Sequence, residues 1–241
     1  MLGAFYGIER IMGKDHSPVR KVFNYAEEHF ISKLPVEYVL TVTVSENKKT
    51  SILGLFIGKD RSGFTRAVQL SQKHNLLYVD TPIKTCVVWL DEREFHSTWL
   101  GNKAIYRTRM AMADNGHLII LAPGVKMFGE DAENDRLIRK FGYIGRENIL
   151  NLCKTEPELQ NNLSAAAHLI QGSVDGRFKI TYATSKLNKD EVEGVGFGYM
   201  PFNEAIEKYD PKKFKNGVNR LLSGEEIFFI ENPALGLWSI K

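Results

Sequence analysis

Two short apolar runs, residues 84–90 and 117–122, constrain this chain most. Within the first, Cys86-Val87-Val88-Trp89-Leu90 is uninterrupted. A strand covered on both faces reads this way, because neither side of its pleat meets water. Each run is followed by a polar loop and then by residues at helical spacing. After the first come residues 91–101, then a helix carrying Ala104, Ile105, Met110 and Ala113, with Asn115-Gly116 as its stop. After the second come residues 123–130, then an amphipathic helix over 131–141. This alternation predicts an α/β chain with a mostly parallel, Rossmann-like sheet flanked by helices.

The flanking segments extend the scheme. Ser17 caps a helix, with Pro18 suited to its first position. Val19, Phe23, Ala26, Phe30 and Ile31 share one face of that helix, and Pro35 ends it. Residues 36–46 and 52–57 read as a β-hairpin around Glu46-Asn47-Lys48-Lys49. A helix of about 14 residues with Phe64, Ala67, Val68 and Leu70 follows Gly58-Lys59-Asp60. Residues 76–79 read as a short strand. Helices are expected at 146–154, 157–171, 188–193 and 202–209, strands at 177–183 and 226–230, and a loop-like tail at 232–238. With no internal repeat and no low-complexity linker, 1–241 reads as a single domain. Its core is about 17–145, and 146–241 is a helical C-terminal extension.

Several function classes lose support. The 241 residues carry 32 basic and 29 acidic side chains, a net charge of +3. Nucleic-acid binding wants a concentrated basic face. The densest basic stretch, 208–215, reads as solvated surface. No apolar stretch approaches the ~20 residues of a membrane span, and no signal-peptide core follows Met1. Cys86 and Cys153 fit a reducing compartment and make no zinc pattern. A soluble, cytoplasmic protein without a metal of its own is the expectation.

Ligands of open parallel sheets bind beyond the carboxyl ends of strands. The loop Glu94-Phe95-His96-Ser97-Thr98-Trp99-Leu100-Gly101-Asn102-Lys103 is the best candidate. Free amides at its helix start would attract a carboxylate. Ser97, Thr98 and Asn102 add hydrogen-bonding groups, Lys103 a positive charge, and Trp99 an apolar wall. An ordinary helix cap with a buried Trp99 explains each residue singly. Taken together, the cluster supports either reading. His96 is the histidine nominated as acid or base, and a noncatalytic hydrogen-bonding role fits it equally well. His29 and His74 read as surface residues. His117 reads as structural. His168, after Ala165-Ala166-Ala167, reads as helix packing. Gly124 and Gly129 in the second loop match neither a P-loop nor a dinucleotide fingerprint.

The order of the hairpin and helix at 36–74, the strand-loop-helix at 83–113 and the strand at 117–122 resembles the C-terminal domain of the nickel-pincer-dependent lactate racemase family. That family also contains racemases and epimerases of other 2-hydroxy acids. His16-Ser17-Pro18-Val19-Arg20 is similar to the family's Gly-Asn-Pro-Val-Arg. The resemblance implies that Lys103 matches a substrate-binding lysine, while Leu100 stands where the family has glutamine. Asn102 offers an amide in its place. The resemblance implies no cofactor in this chain. The nickel-pincer nucleotide belongs to an N-terminal domain or subunit with no counterpart here, so the chain alone is expected to be inactive. Its implied ligand is a small 2-hydroxy acid or sugar acid. The alternative is a non-catalytic small-carboxylate-binding or assembly module.

Overall fold

The structure, a computed structural model, describes residues 2–46 and 49–241. The hairpin is β1 (Tyr38–Glu46) against β2 (Lys49–Gly58), antiparallel, with Val39 opposite Ile57 and Thr41 opposite Leu55. Part of the expected turn lies outside the described residues. Helix Arg61–Asn75 covers one face of the hairpin, where Gly54 leaves room for Leu70. It runs into β3 (Leu76–Val79).

The main sheet begins at β4 (Ile83–Trp89) and β5 (Met112–Leu121), and continues through β6 (Lys179–Thr184), β7 (Gly198–Pro201), β8 (Gly217–Arg220) and β9 (Glu226–Ile230). Its order is β7-β6-β5-β4-β9-β8, parallel except for β8. Cys86, Val88, Leu118 and Ile120 enter the larger core, with Ile105, Ile138, Ile149 and Leu169 from helices. Val87, Ile119, Leu121 and Phe229 enter the second core, with Ala205. Each Val, Leu, Ile or Phe among them removed from water contributes about 1.5–3 kcal/mol. The apolar runs therefore meant what they implied, a sheet sealed on both faces.

Three expectations need correction. Asn115-Gly116 does not stop a helix. The helix is Lys103–Thr108, and the pair lies within β5. There the register jumps from Ile83↔Met112 to Thr85↔His117. Asn115 has φ of 61°, and a Cβ on Gly116 would stand 2.9 Å from the Ala113 carbonyl. A bulge needs the same left-handed tolerance as a helix stop. Second, the tail is not a loop throughout: Leu237–Ile240 is β10, which pairs parallel with β3 away from the main sheet. Third, the helix expected at 157–171 is two, Pro157–Asn161 and Leu163–Gly172. Asn162 caps the second by accepting from the Ala165 amide at 3.0 Å. Residues 146–241, read as a helical extension, carry helices together with four strands of the main sheet, β6–β9. The sheet crosses the boundary expected near 145.

Candidate functional site

Strand order turns at β4. β5, β6 and β7 follow on one side and β9 lies on the other. The carboxyl ends at this turning point are where parallel sheets offer a crevice. The loop after β4 and the segment after β9 meet there, with the Asn232 side-chain amide donating to Glu94 at 3.3 Å.

The loop after β4 is stitched to the loop after β5. The amide of Thr98 donates to the Met127 carbonyl at 3.0 Å, that of Trp99 to Phe128 at 2.8 Å, and that of Lys126 to His96 at 2.9 Å. Leu100 donates to the Ser97 hydroxyl at 3.3 Å, and Gly101 and Asn102 donate within the turn. The expected free amides are therefore already engaged. The helix Thr98–Gly101 is a single turn and presents no open anion site. Ser97 is fully buried and donates to Glu130.

Thr98 and Asn102 turn inward as well. The Thr98 hydroxyl is 3.0 Å from the Phe128 carbonyl and 3.0 Å from the Tyr143 hydroxyl. Asn102 accepts from the Tyr182 hydroxyl at 2.7 Å, and its amide nitrogen is 3.4 Å from His168 Nε2. Tyr143 closes the set, 2.9 Å from the same His168 nitrogen. Trp99 stacks on His168 with ring centres 4.2 Å apart, so its wall faces a histidine. Burial holds His168 down to about 3, which makes it a neutral imidazole, and pushes the Tyr143 and Tyr182 phenols up. Sequence reasoning had Asn102 and Thr98 but missed Tyr143, Tyr182 and the role of His168. Their partners lie 25 to 80 positions apart in the chain, and no local spacing reports that.

The second loop is held from below. Asp135 accepts from the amides of Phe128 at 2.6 Å and Gly129 at 3.2 Å and from Arg139 at 2.6 Å. Burial opposes its charge. The arginine and the two amides outweigh that and hold its carboxyl below the usual carboxylate range. The loop glycines serve close packing: a Cβ on Gly124 would stand 2.6 Å from the Phe95 carbonyl.

Two expected site residues remain outward. His96 is exposed. Lys103 is half-buried, its ammonium 5.6 Å from the Phe95 ring centre, and no carboxylate pairs with it among the described residues. An unpaired ammonium against an aromatic face can receive a carboxylate. His117 instead pairs with Thr181 at 2.8 Å. A cavity of about 800 Å³ opens elsewhere, by the amino ends of β6 and β7, lined in part by Gly145, Gly172, Phe178 and Phe197. It sits at the wrong end of the strands for the usual crevice, so the turning point at β4 remains the candidate. Among the described residues, no three His, Cys, Asp or Glu side chains group to hold a metal ion. No helix of the described residues is long and apolar enough to cross a membrane.

No family model matches the sequence, and no curated protein does. Solved structures do match. A Thermotoga maritima protein from a structural genomics consortium is similar at 25% identity and a TM-score of 0.74, over 98% of this chain and 57% of its own. The lactate racemase apoprotein of Thermoanaerobacterium thermosaccharolyticum is similar at 12% identity and a TM-score of 0.65, over 93% of this chain and 50% of its own. The chain thus spans about half the length of these structures, and its fold is lactate-racemase-like.

Proposed function

We propose that this chain is the substrate-holding part of a 2-hydroxy acid racemase or epimerase, and that Lys103 grips the substrate carboxylate. The observation that carries the reading is the Lys103 ammonium, at the strand-end crevice and without a carboxylate partner among the described residues. The lactate-racemase-like fold supports the same class of ligand. His96, exposed in the loop that leads to Lys103, is the proton-handling group of this reading. Ser97, Thr98 and Asn102 act at one remove, fixing the turn that presents Lys103.

The redox chemistry belongs to a nickel-pincer cofactor on a separate domain or subunit, and no step of it is assigned to this chain. The test is chiral analysis of D- and L-lactate. The chain alone should interconvert neither. Complemented with the cofactor-loaded half of lactate racemase that it does not match, it should interconvert them, and Lys103→Ala should abolish this. No interconversion by the complemented wild type counts against the reading. A second reading, an assembly module, is favoured by one observation, the bare apolar face of the β1–β2 hairpin.

A further inference from the structure

We propose that this bare face is the docking surface for a second polypeptide domain, the counterpart of the half of the matched solved chains that this chain does not match. The proposal deepens the reading above, which already requires a partner to carry the cofactor.

The hairpin has two unlike faces. Val42 is buried and Leu40 and Phe56 half-buried toward helix Arg61–Asn75. On the other face Val39, Thr41, Thr43, Ile52, Leu55 and Ile57 are all exposed, and the register sets them in facing pairs. Ile52 is 67% exposed, Val39 63%, Leu55 58% and Ile57 56%. The face carries no charge. Its area is on the order of 500 Å², a size at which a patch on a soluble protein usually marks an interaction site.

The strands are also unprotected at their edges. Among the described residues, β1 and β2 pair only with each other. They run 9 and 10 residues, with no proline and with charge only at their ends, Glu46 and Lys49. Natural edges are normally blunted by charge, proline or a cover. A two-stranded hairpin is marginal without further packing, and here one helix supplies it. An apolar face with open edges fits a domain that adds a strand or lays apolar side chains across it.

The occupant follows from the comparisons. Both solved proteins match nearly all of this chain yet extend to about twice its matched length. In each, the matched part is joined to a further stretch of the same chain of comparable size. A domain of that size can cover a face that a short peptide could not. A second copy of this chain is the competing occupant, and the test separates the two.

The full chain is co-expressed with the half of the Thermotoga maritima protein that it does not match. Complex formation is read by light scattering, and protection of the β1 and β2 amides by hydrogen exchange. The expected result is a one-to-one complex with these amides newly protected. Leu55→Asp and, separately, Val39→Lys should weaken it at least about tenfold. Both side chains are exposed, and circular dichroism of each variant confirms its fold. Lys103→Ala should leave the complex intact. Carboxylate binding at Lys103 is titrated separately with lactate, so a failed docking surface is distinguishable from a failed substrate site. Absence of a complex, a complex indifferent to both variants, or a wild-type homodimer broken by Leu55→Asp would overturn the proposal.

Discussion

The Tyr182 hydroxyl donates to Asn102 Oδ1 at 2.7 Å, joining β6 to the turn that carries Lys103. Asn102 is fully buried and sits between two short helices. Asn102→Ala leaves the tyrosine hydroxyl without a buried acceptor, at a cost of about 1–3 kcal/mol. Urea unfolding should show that loss. An unchanged midpoint would mean that the bond does not fix the turn.

His168 makes stability depend on pH. Its folded value is held down to about 3 by burial, below the ordinary 6.5. Between those values the unfolded chain binds the proton and the folded chain does not. Stability from this group is therefore full above pH 6.5 and falls as pH drops toward 3, by about 1.4 kcal/mol per pH unit. In His168→Gln the slope of unfolding free energy against pH should flatten by about one proton over that window. An identical slope in both proteins would refute the assignment.

Asp135 secures the second loop from beneath. Asp135→Asn keeps the shape and removes the charge that Arg139 and the amides of Phe128 and Gly129 share. A loss of about 1.5–3 kcal/mol is expected, with faster hydrogen exchange at those two amides. Exchange rates like those of the wild type would show the loop to be held by other means.

Gly129 has no room for a side chain. A Cβ there would lie 2.2 Å from the Asp135 amide nitrogen and 2.6 Å from the Asn134 carbonyl carbon, both backbone. Gly129→Ala should cost at least about 1–3 kcal/mol, and thermal unfolding measures it. Gly176→Ala provides a contrast, because its site is open and only its φ of 75° opposes the change.

Much of this fold is legible because burial writes itself into short strings. Residues 86–90 are apolar on both pleat faces, and the structure seals both. Ser17 and Pro18 state a helix start outright, and Ser17 accepts from the Arg20 amide at 3.0 Å. Asn115-Gly116 misled because a bulge and a helix stop ask the same of the backbone. β7, β8 and β10, four residues each, are too short to show a period. The site was half legible. Its loop stood out by composition, but the inward turn of Ser97, Thr98 and Asn102 depends on Tyr143, His168 and Tyr182, brought in from distant parts of the chain.

The central claim is that Lys103 holds a small carboxylate. The direct measurement is amide chemical-shift titration of the isolated chain with L-lactate, up to about 10 mM, roughly tenfold above the common upper range of substrate KM values. The account predicts saturable shifts centred on residues 94–103 that vanish in Lys103→Ala and persist in Lys126→Ala. Saturable binding that survives Lys103→Ala, or no shift near residue 103 in the wild type, would contradict it.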